Sequence, residues 1–305
     1  MNEKIKHILS KDGFHWLIYY ILLGTKMARF VPDKWYVELE YRCLLGKRLD
    51  LNHPKTFNEK LQWLKIYDRR PEYTIMVDKY AVKQYVADRI GEKYVIPTLG
   101  VWDKPEMIDW DSLPDKFVLK CTHNSGGLVI CKDKKKLDKD AAIKKLSDAL
   151  ERDYYLASRE WPYKNVPRRI IAEQYLEDAA IEDLRDYKFF CFNGRMQVFK
   201  IDFDRQSKHR ANYFDRDGNL LPYGEKVCPP QKDKQLELPQ NLEEMIKIVK
   251  KLSEALPFGR IDFYNVNGKI YFGEITLFPA GGFGAFTDEK FDHELGDYIQ
   301  LPTKK

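Results

Sequence analysis

The sequence predicts an α+β protein with mainly antiparallel sheets and a helical extension at its N-terminus. Three observations carry this. Apolar strand pairs joined by short turns recur, two of them through Asn-Gly, the strongest short hairpin signal because both central residues need positive φ. Helical patterns fall between hairpins instead of alternating strand by strand. No Gly-x-Gly-x-x-Gly follows a strand, and no Gly-Lys-Ser/Thr phosphate loop is present.

The elements follow in order. Residues 1–50 read as helical and aromatic and break at Asn52-His53-Pro54. Thr56-Phe-Asn-Glu59 is a capping box opening a helix that ends near Pro71. A second helix is expected over about residues 75–90, stopped by Gly91. Residues 94–97 and 99–102 read as short strands. Residues 116–120 and 128–131 form a hairpin whose loop is Thr122 to Gly127. Lys132 to Lys136 is a solvated turn, and a helix of about 18 residues is expected from Asp138. Residues 169–176 form a strand. Residues 187–192 and 196–201 pair through Asn193-Gly194. Residues 212–214 and 220–221 flank the turn Asp215-Arg-Asp-Gly-Asn219, and a helix runs from Asn241 to Pro257. Arg260 to Tyr264 and Lys269 to Glu274 form the last hairpin, through Asn267-Gly268.

Composition narrows the class. With 305 residues, 44% apolar and 14% aromatic, the chain has material for about two domains and a sizeable core. A disordered chain, a collagen-like repeat and a disulfide scaffold are excluded. The net charge of +5 is mild; nucleotides, anionic glycans and anionic lipid remain candidate partners, and nucleic acid is not expected. Five cysteines, an odd number without a Cys-x-x-Cys pair, fit a reduced cytoplasmic protein. Cys121, His123 and Cys131 lack the paired spacing of a zinc site.

The chemistry concentrates near the C-terminus. Arg260 and Asp262 lie two apart on one strand, and Glu274 and Thr276 two apart on the next, so each pair shares a face. Folding at Asn267-Gly268 brings both faces together. Oxygen ligands on rigid strands suit Mg²⁺, with phosphate oxygens and water completing the octahedron. Read alone, the same pattern also fits an exposed charge cluster. Lys120 closes a strand before Thr-His-Asn-Ser-Gly-Gly127, whose small residues let backbone N–H groups approach phosphate. A β-branched residue at Gly126 is expected to slow turnover more than it harms stability. Glu173-Gln-Tyr-Leu176 ends a strand with an acceptor that can meet an adenine edge.

Taken in order, Asp78-Lys79-Tyr80, Lys120-Cys-Thr-His-Asn-Ser-Gly-Gly127, Glu173-Gln-Tyr-Leu176, Arg260-Ile-Asp262 and Glu274-Ile-Thr-Leu-Phe-Pro279 resemble the ATP-grasp superfamily. Lys55-Thr-Phe-Asn-Glu-Lys-Leu-Gln-Trp-Leu64 and the continuation to Gly282 are similar to its TupA-like branch, which serves teichuronopeptide, capsule and other surface-polysaccharide synthesis. The resemblance spans about residues 50–290. It implies two α+β subdomains clasping ATP, here residues 51–175 with the glycine flap and 176–305 with the metal site, preceded by residues 1–50.

The resemblance also implies roles. Lys79 and Lys120 contact nucleotide phosphates, and Ser125, Gly126 and Gly127 form the flap. Glu173, Tyr175 and Leu176 read adenine, and Asp186 holds ribose. Asp262 and Glu274 hold Mg²⁺, with Thr276 where many relatives have asparagine. Arg260 stabilises the transferring group, and Arg210 is a weaker match as a γ-phosphate or substrate contact. The implied reaction is ADP-forming carboxylate–amine ligation through an acyl phosphate, joining an amino acid or amino sugar to a uronic acid, with a lipid-linked glycan as a further candidate. Two alternatives stand beside it: a kinase of a sugar hydroxyl, and a glycosyltransferase hooked on Asp215-Arg-Asp217. His123 is expected either on phosphate or in solvent.

Phe14 to Gly24 is apolar over 11 residues, too short to span a membrane, and no small-x-small cleavage site follows. Lys4, Lys6, Lys11, Lys26 and Arg29 against Glu3 and Asp12 leave residues 1–30 at 5 − 2 = +3. The segment fits a helix at the inner membrane surface or one packed on the body.

Overall fold

The computed structural model describes residues 3–8, 12–178, 184–204, 207–234 and 236–304. Six helices come first: α1 (Glu3–Ile8), α2 (Gly13–Gly24), α3 (Asp33–Leu45), α4 (Phe57–Tyr67), α5 (Glu72–Val77) and α6 (Ala81–Ile90). Then come β1 (Thr98–Trp102), β2 (Phe117–Cys121), β3 (Leu128–Cys131), α7 (Lys139–Glu151), α8 (Tyr154–Ser158) and β4 (Ile170–Gln174). The rest is β5 (Asp186–Phe192), β6 (Arg195–Phe203), β7 (Arg210–Asp215), α9 (Leu242–Ser253), β8 (Phe258–Val266), β9 (Lys269–Thr276) and α10 (Glu289–Tyr298).

The strands form two sheets, in the orders β1-β4-β2-β3 and β7-β6-β5-β8-β9, and every pairing is antiparallel. Both Asn-Gly hairpins turn as expected. Asn193 and Gly194 have φ of 49° and 74°, Asn267 and Gly268 of 50° and 75°. The capping box at Thr56 and Glu59 closes in both directions.

Several elements differ from expectation. The helix expected over residues 75–90 is two helices, because Asp78 Oδ1 accepts from the N–H groups of Tyr80 and Ala81 and starts α6 afresh. The helix after Asp138 likewise ends at Glu151, and Asp153 caps α8. Residues 94–97 are no strand: Tyr94 ends a 3-10 turn, and pairing starts at Thr98. Leu220 makes one bridge to Phe214 and no strand. α10 carries no cap-and-stripe signal strong enough to expect it, yet Asp288 caps it and it packs on α4.

Two cores position the site. One face of the four-stranded sheet (Phe117, Leu119, Cys121, Ala172) packs on Leu146 and Ala149 of α7. The five-stranded sheet buries Phe189, Phe199 and Phe263 on one face, where α9 lies. Its other face is divided. Phe190, Phe192 and Phe258 meet Phe57 of α4, while the neighbouring stretch is charged. α4 therefore shares the core of the five-stranded sheet. All five cysteines are buried and free. Among the described residues, no helix is long and apolar enough to cross a membrane.

Candidate active site

The β8–β9 register sets Asp262 opposite Glu274 and Arg260 opposite Thr276, all on the charged face. Arg260 is the hub. Its Nε donates to Asp262 Oδ1 at 2.7 Å, and its Nη2 to Asp262 Oδ2 at 2.7 Å, Glu274 Oε1 at 3.0 Å and Thr276 Oγ1 at 2.9 Å. Lys188 on β5 lies opposite Asp262 and donates to its Oδ2 at 2.8 Å. The same ammonium is 3.1 Å from Asp186 and 3.9 Å from Asp202. Burial alone would raise the Asp262 carboxyl, but the Arg260 guanidinium and Lys188 ammonium outweigh it and hold it at about 2. Burial pushes the Lys188 ammonium down, but Asp262 and Asp186 hold it above its ordinary range.

On the four-stranded sheet, the face turned away from α7 carries Val118, Lys120, Ile171 and Glu173, which share one parity in the register. Glu173 is clamped at 2.5 Å by both Lys120 and Lys83. Burial would raise its carboxyl, yet these two lysines bring it below its ordinary value. Leu128 and Ile130 extend the same face and are exposed, giving an apolar floor beside the charged trio. β4 ends at Gln174, so Tyr175 and Leu176 lie in the segment leading to β5.

Lys79 links the two sides. It sits in the break between α5 and α6, its N–H donates to Thr122 O, and its Nζ donates to Asn124 O at 2.5 Å. Burial pushes the Lys79 ammonium down against the pull of Glu274. Lys79 is thus tied to the glycine loop by hydrogen bonds, and Glu274 of the carboxylate hairpin is the anion that most opposes the loss of its charge.

The loop is more fixed than its composition suggests. Asn124 Oδ1 accepts from the N–H groups of Gly126 and Gly127, and its Nδ2 donates to Ala149 O at 2.8 Å. His123 is not in solvent: it is buried, with Nε2 3.2 Å from Arg152 O. Ser125 and Gly126 form the exposed tip. Gly126 does not need to be glycine for its backbone conformation. Its backbone is not left-handed, and an added Cβ meets only Arg152 Nη1, at 3.5 Å. Gly127 is the constrained position, since a Cβ there would stand 2.4 Å from Cys121 Sγ and 2.9 Å from Ala149 Cβ. Gly127→Ala is therefore expected to cost about 1–3 kcal/mol, whereas Gly126→Ala leaves urea unfolding unchanged. Equal midpoints for the two variants would refute this.

Arg210 is not brought to the hub. It pairs with Phe203, and β7 alternates from there, so Arg210 and Asn212 take the parity of Phe203 and Ile201, opposite to Lys200 and Asp202. Asn212 instead holds Gln231, through its N–H and its carbonyl, at 2.8 and 2.9 Å. Asp215-Arg-Asp217 is a turn, with Asp215 Oδ1 accepting from the N–H groups of Asp217 and Asn219. Asp186 does join the charged face, beside Lys188.

Four features were not expected from sequence. Lys188 and Lys83 look like ordinary strand and helix lysines. Lys200 is held by Glu225 at 2.7 Å, and Glu225 also accepts from Tyr213. The polar residues of α4 grip the chain beyond β9: Gln62 Nε2 donates to Gly281 O and Gly282 O, and Lys65 Nζ to Gly281 O at 2.6 Å. That chain is left-handed at three consecutive residues, Ala280 (φ 50°), Gly281 (φ 63°) and Gly282 (φ 75°). An alanine there is strained. Asn58, Gln62 and Lys65 of α4 thus hold the chain that follows β9.

Asp262, Glu274 and Thr276 fit a hard divalent cation by donor type, and Glu274 is the accessible one, its side chain 45% exposed. No group of three or more metal-ligating His, Cys, Asp or Glu exists among the described residues. Such a donor set suits an ion that arrives with phosphate oxygens, which complete its shell.

The family model for TupA-like ATPgrasp matches residues 59–300. No curated protein matches the chain. Solved structures with a similar fold include the D-alanine-D-alanine ligase of Helicobacter pylori, 16% identical over 80% of this chain and 69% of that one, TM-score 0.42. The D-alanine-D-alanine ligase of Bacillus anthracis complexed with ATP is 17% identical over 75% and 64%, TM-score 0.40. The L-amino acid ligase of Bacillus licheniformis is 15% identical over 68% and 44%, TM-score 0.40. The chain spans between 44% and 69% of the length of these three proteins.

Proposed function

The chain belongs to the TupA-like ATP-grasp family, and from that premise we propose that it is an ATP- and Mg²⁺-dependent carboxylate–amine ligase of surface-polysaccharide synthesis. The observation that carries the reading is Asp262 facing Glu274 under Arg260, together with Lys79, which is hydrogen-bonded to the glycine loop. Mg²⁺, when bound, supplies charge neutralisation for the phosphates.

The chain's own residues do the rest. Lys120, Lys83 and Glu173 form a rigid charged corner beside the apolar Leu128 and Ile130, a surface that suits a purine ring with an amino edge. Lys79 and Lys120 offer ammonium groups to phosphate oxygens. Arg260, held by two carboxylates and a hydroxyl, presents a fixed cation to negative charge developing on a transferring phosphoryl group or a tetrahedral oxyanion. No side-chain nucleophile is required: the carboxylate substrate takes the γ-phosphoryl group, and the amine displaces phosphate. Positioning supplies most of the rate. The family resemblance supports a uronic acid as the carboxylate and an amino acid or amino sugar as the amine, in the cytoplasm.

The test incubates the protein with Mg²⁺, ATP or a sugar nucleotide, and pools of uronic acids and amines, read by mass spectrometry. The expected result is ADP with a product one water lighter than the two substrates together. A phosphorylated sugar would instead make it a kinase, and released UDP a glycosyltransferase.

A further inference from the structure

α2 is largely apolar around its whole circumference: in Gly-Phe-His-Trp-Leu-Ile-Tyr-Tyr-Ile-Leu-Leu-Gly, only His15, the Trp16 indole N–H and the tyrosine hydroxyls are polar. Such a helix is normally covered on every side. Here one side is covered. Tyr19 and Leu22 pack with Tyr36, Leu39 and Cys43, and Tyr19 donates to the buried Glu40 at 2.7 Å. The opposite stripe, Phe14, Leu17 and Ile21, has the i, i+3, i+7 spacing of one face and stands in solvent, Phe14 at 72% exposure. The next turn adds Met27 and Phe30, the latter 83% exposed.

We propose that this face docks on an anionic lipid bilayer. Its dimensions fit a helix lying in the interface: 12 residues make about 18 Å, against about 30 Å of hydrocarbon to cross. The surrounding charge fits as well. Residues 1–35 hold six cations and three anions, 6 − 3 = +3. Two of those anions are occupied from the body, Asp12 by Arg42 at 2.9 Å and Asp33 by Arg69 at 2.6 Å. Lys4, Lys6, Arg29 and Lys34 remain exposed around the apolar stripe, while Lys11 lies outside the described residues. Phe14 also walls an open groove of about 830 Å³ with Trp35, Lys34 and Arg48; Glu38 and Asp50 line it too. A two-fold seam between copies would set this cationic rim against itself. An anionic leaflet neutralises it. The helix is not free to swing, because Tyr19–Glu40 and the buried Arg159, whose guanidinium lies over the Tyr36 ring, fix the covered side. Docking would thus hold the body at one orientation to the membrane. The inference shares no residue with the site above and is independent of the proposed reaction.

The experiment is vesicle flotation of the full chain, with phosphatidylcholine vesicles and with vesicles also containing phosphatidylglycerol. Binding is expected on the anionic vesicles at low salt and release at about 0.5 M salt. The variant Phe14→Gln/Ile21→Gln/Phe30→Gln is expected to lose at least about tenfold in partitioning. Lys4→Glu/Arg29→Glu should lose about as much, on anionic vesicles alone. Circular dichroism and unfolding midpoints check that each variant folds, and the two variants test the proposal separately. Wild-type protein that stays unbound overturns it, as does wild-type-level binding by both folded variants. If light scattering without lipid shows a dimer that the glutamine variant dissociates, and vesicles bind nothing, the face is a seam between copies instead.

Discussion

Glu274→Gln is expected to lower ADP release about 10²–10³-fold with no change in unfolding midpoint, and Asp262→Asn to lower both. The two carboxylates stand opposite each other and look equivalent in sequence, but their surroundings differ. Glu274 is half exposed and takes its bonds from Arg260 and Thr276 through one oxygen, Oε1. Neutralising it removes charge that a divalent cation needs while leaving little buried charge unpaired. Asp262 is buried, with both oxygens engaged by Arg260 and Lys188. Its amide would leave two buried cations facing a neutral group, a loss of about 3–5 kcal/mol when a buried pair is broken. Urea unfolding beside a turnover assay separates the cases. Wild-type turnover in Glu274→Gln would remove Glu274 from the cation site. A stable Asp262→Asn would mean that Arg260 and Lys188 are satisfied elsewhere.

What could be read in the sequence was local. Asn267-Gly268 fixed the turn and the pairing from Val266–Lys269 to Phe263–Phe272, but that register continued would set Asp262 opposite Gly273. A one-residue irregularity between Asp262 and Phe263, which no turn signal announces, brings Glu274 opposite Asp262 instead. The same logic gave the hairpin from Lys116 to Cys131 and placed Lys120 on its open face. Arg210 shows the limit. Its role was taken from position along the chain, while its face depends on how β7 pairs with β6, which no short turn sets. Lys188 and Lys83 were missed for a related reason. Each is an unremarkable lysine until a partner distant in sequence, Asp262 or Glu173, is brought against it. Asn58, Gln62 and Lys65 do recur at helical spacing within the capping-box helix. That mixed polar stripe on a buried face was the available sign that α4 holds something polar, here the left-handed chain at Gly281 and Gly282, gripped by Gln62 and Lys65, and Gly284 just beyond, gripped by Asn58. The split at Asp78 was also visible in principle, since an aspartate followed by a new apolar run is a helix start.

Lys188→Met is the second variant with a large expected effect, and its pH dependence identifies the cause. Lys188 is the cation shared by Asp262, Asp186 and, more distantly, Asp202, all of them buried. Methionine keeps the volume and deletes the charge, so the expected loss at pH 7 is about 3–5 kcal/mol. The sign with pH follows from linkage. In the wild type, Asp262 is held at about 2, below its unfolded value, so its stabilisation is full above about pH 4 and fades as pH falls toward 2. Without Lys188, burial acts on the Asp262 carboxyl with one fewer opposing cation, and its value rises. Groups raised in the folded state cost stability at neutral pH and cease to cost it once protonated. The gap between wild type and variant should therefore narrow as pH falls from 7 to about 4. Urea unfolding at both pH values measures it. A gap of the same size at both would assign the loss to packing of the lysine stem, and a gap near zero at pH 7 would show that Arg260 alone balances the three carboxylates.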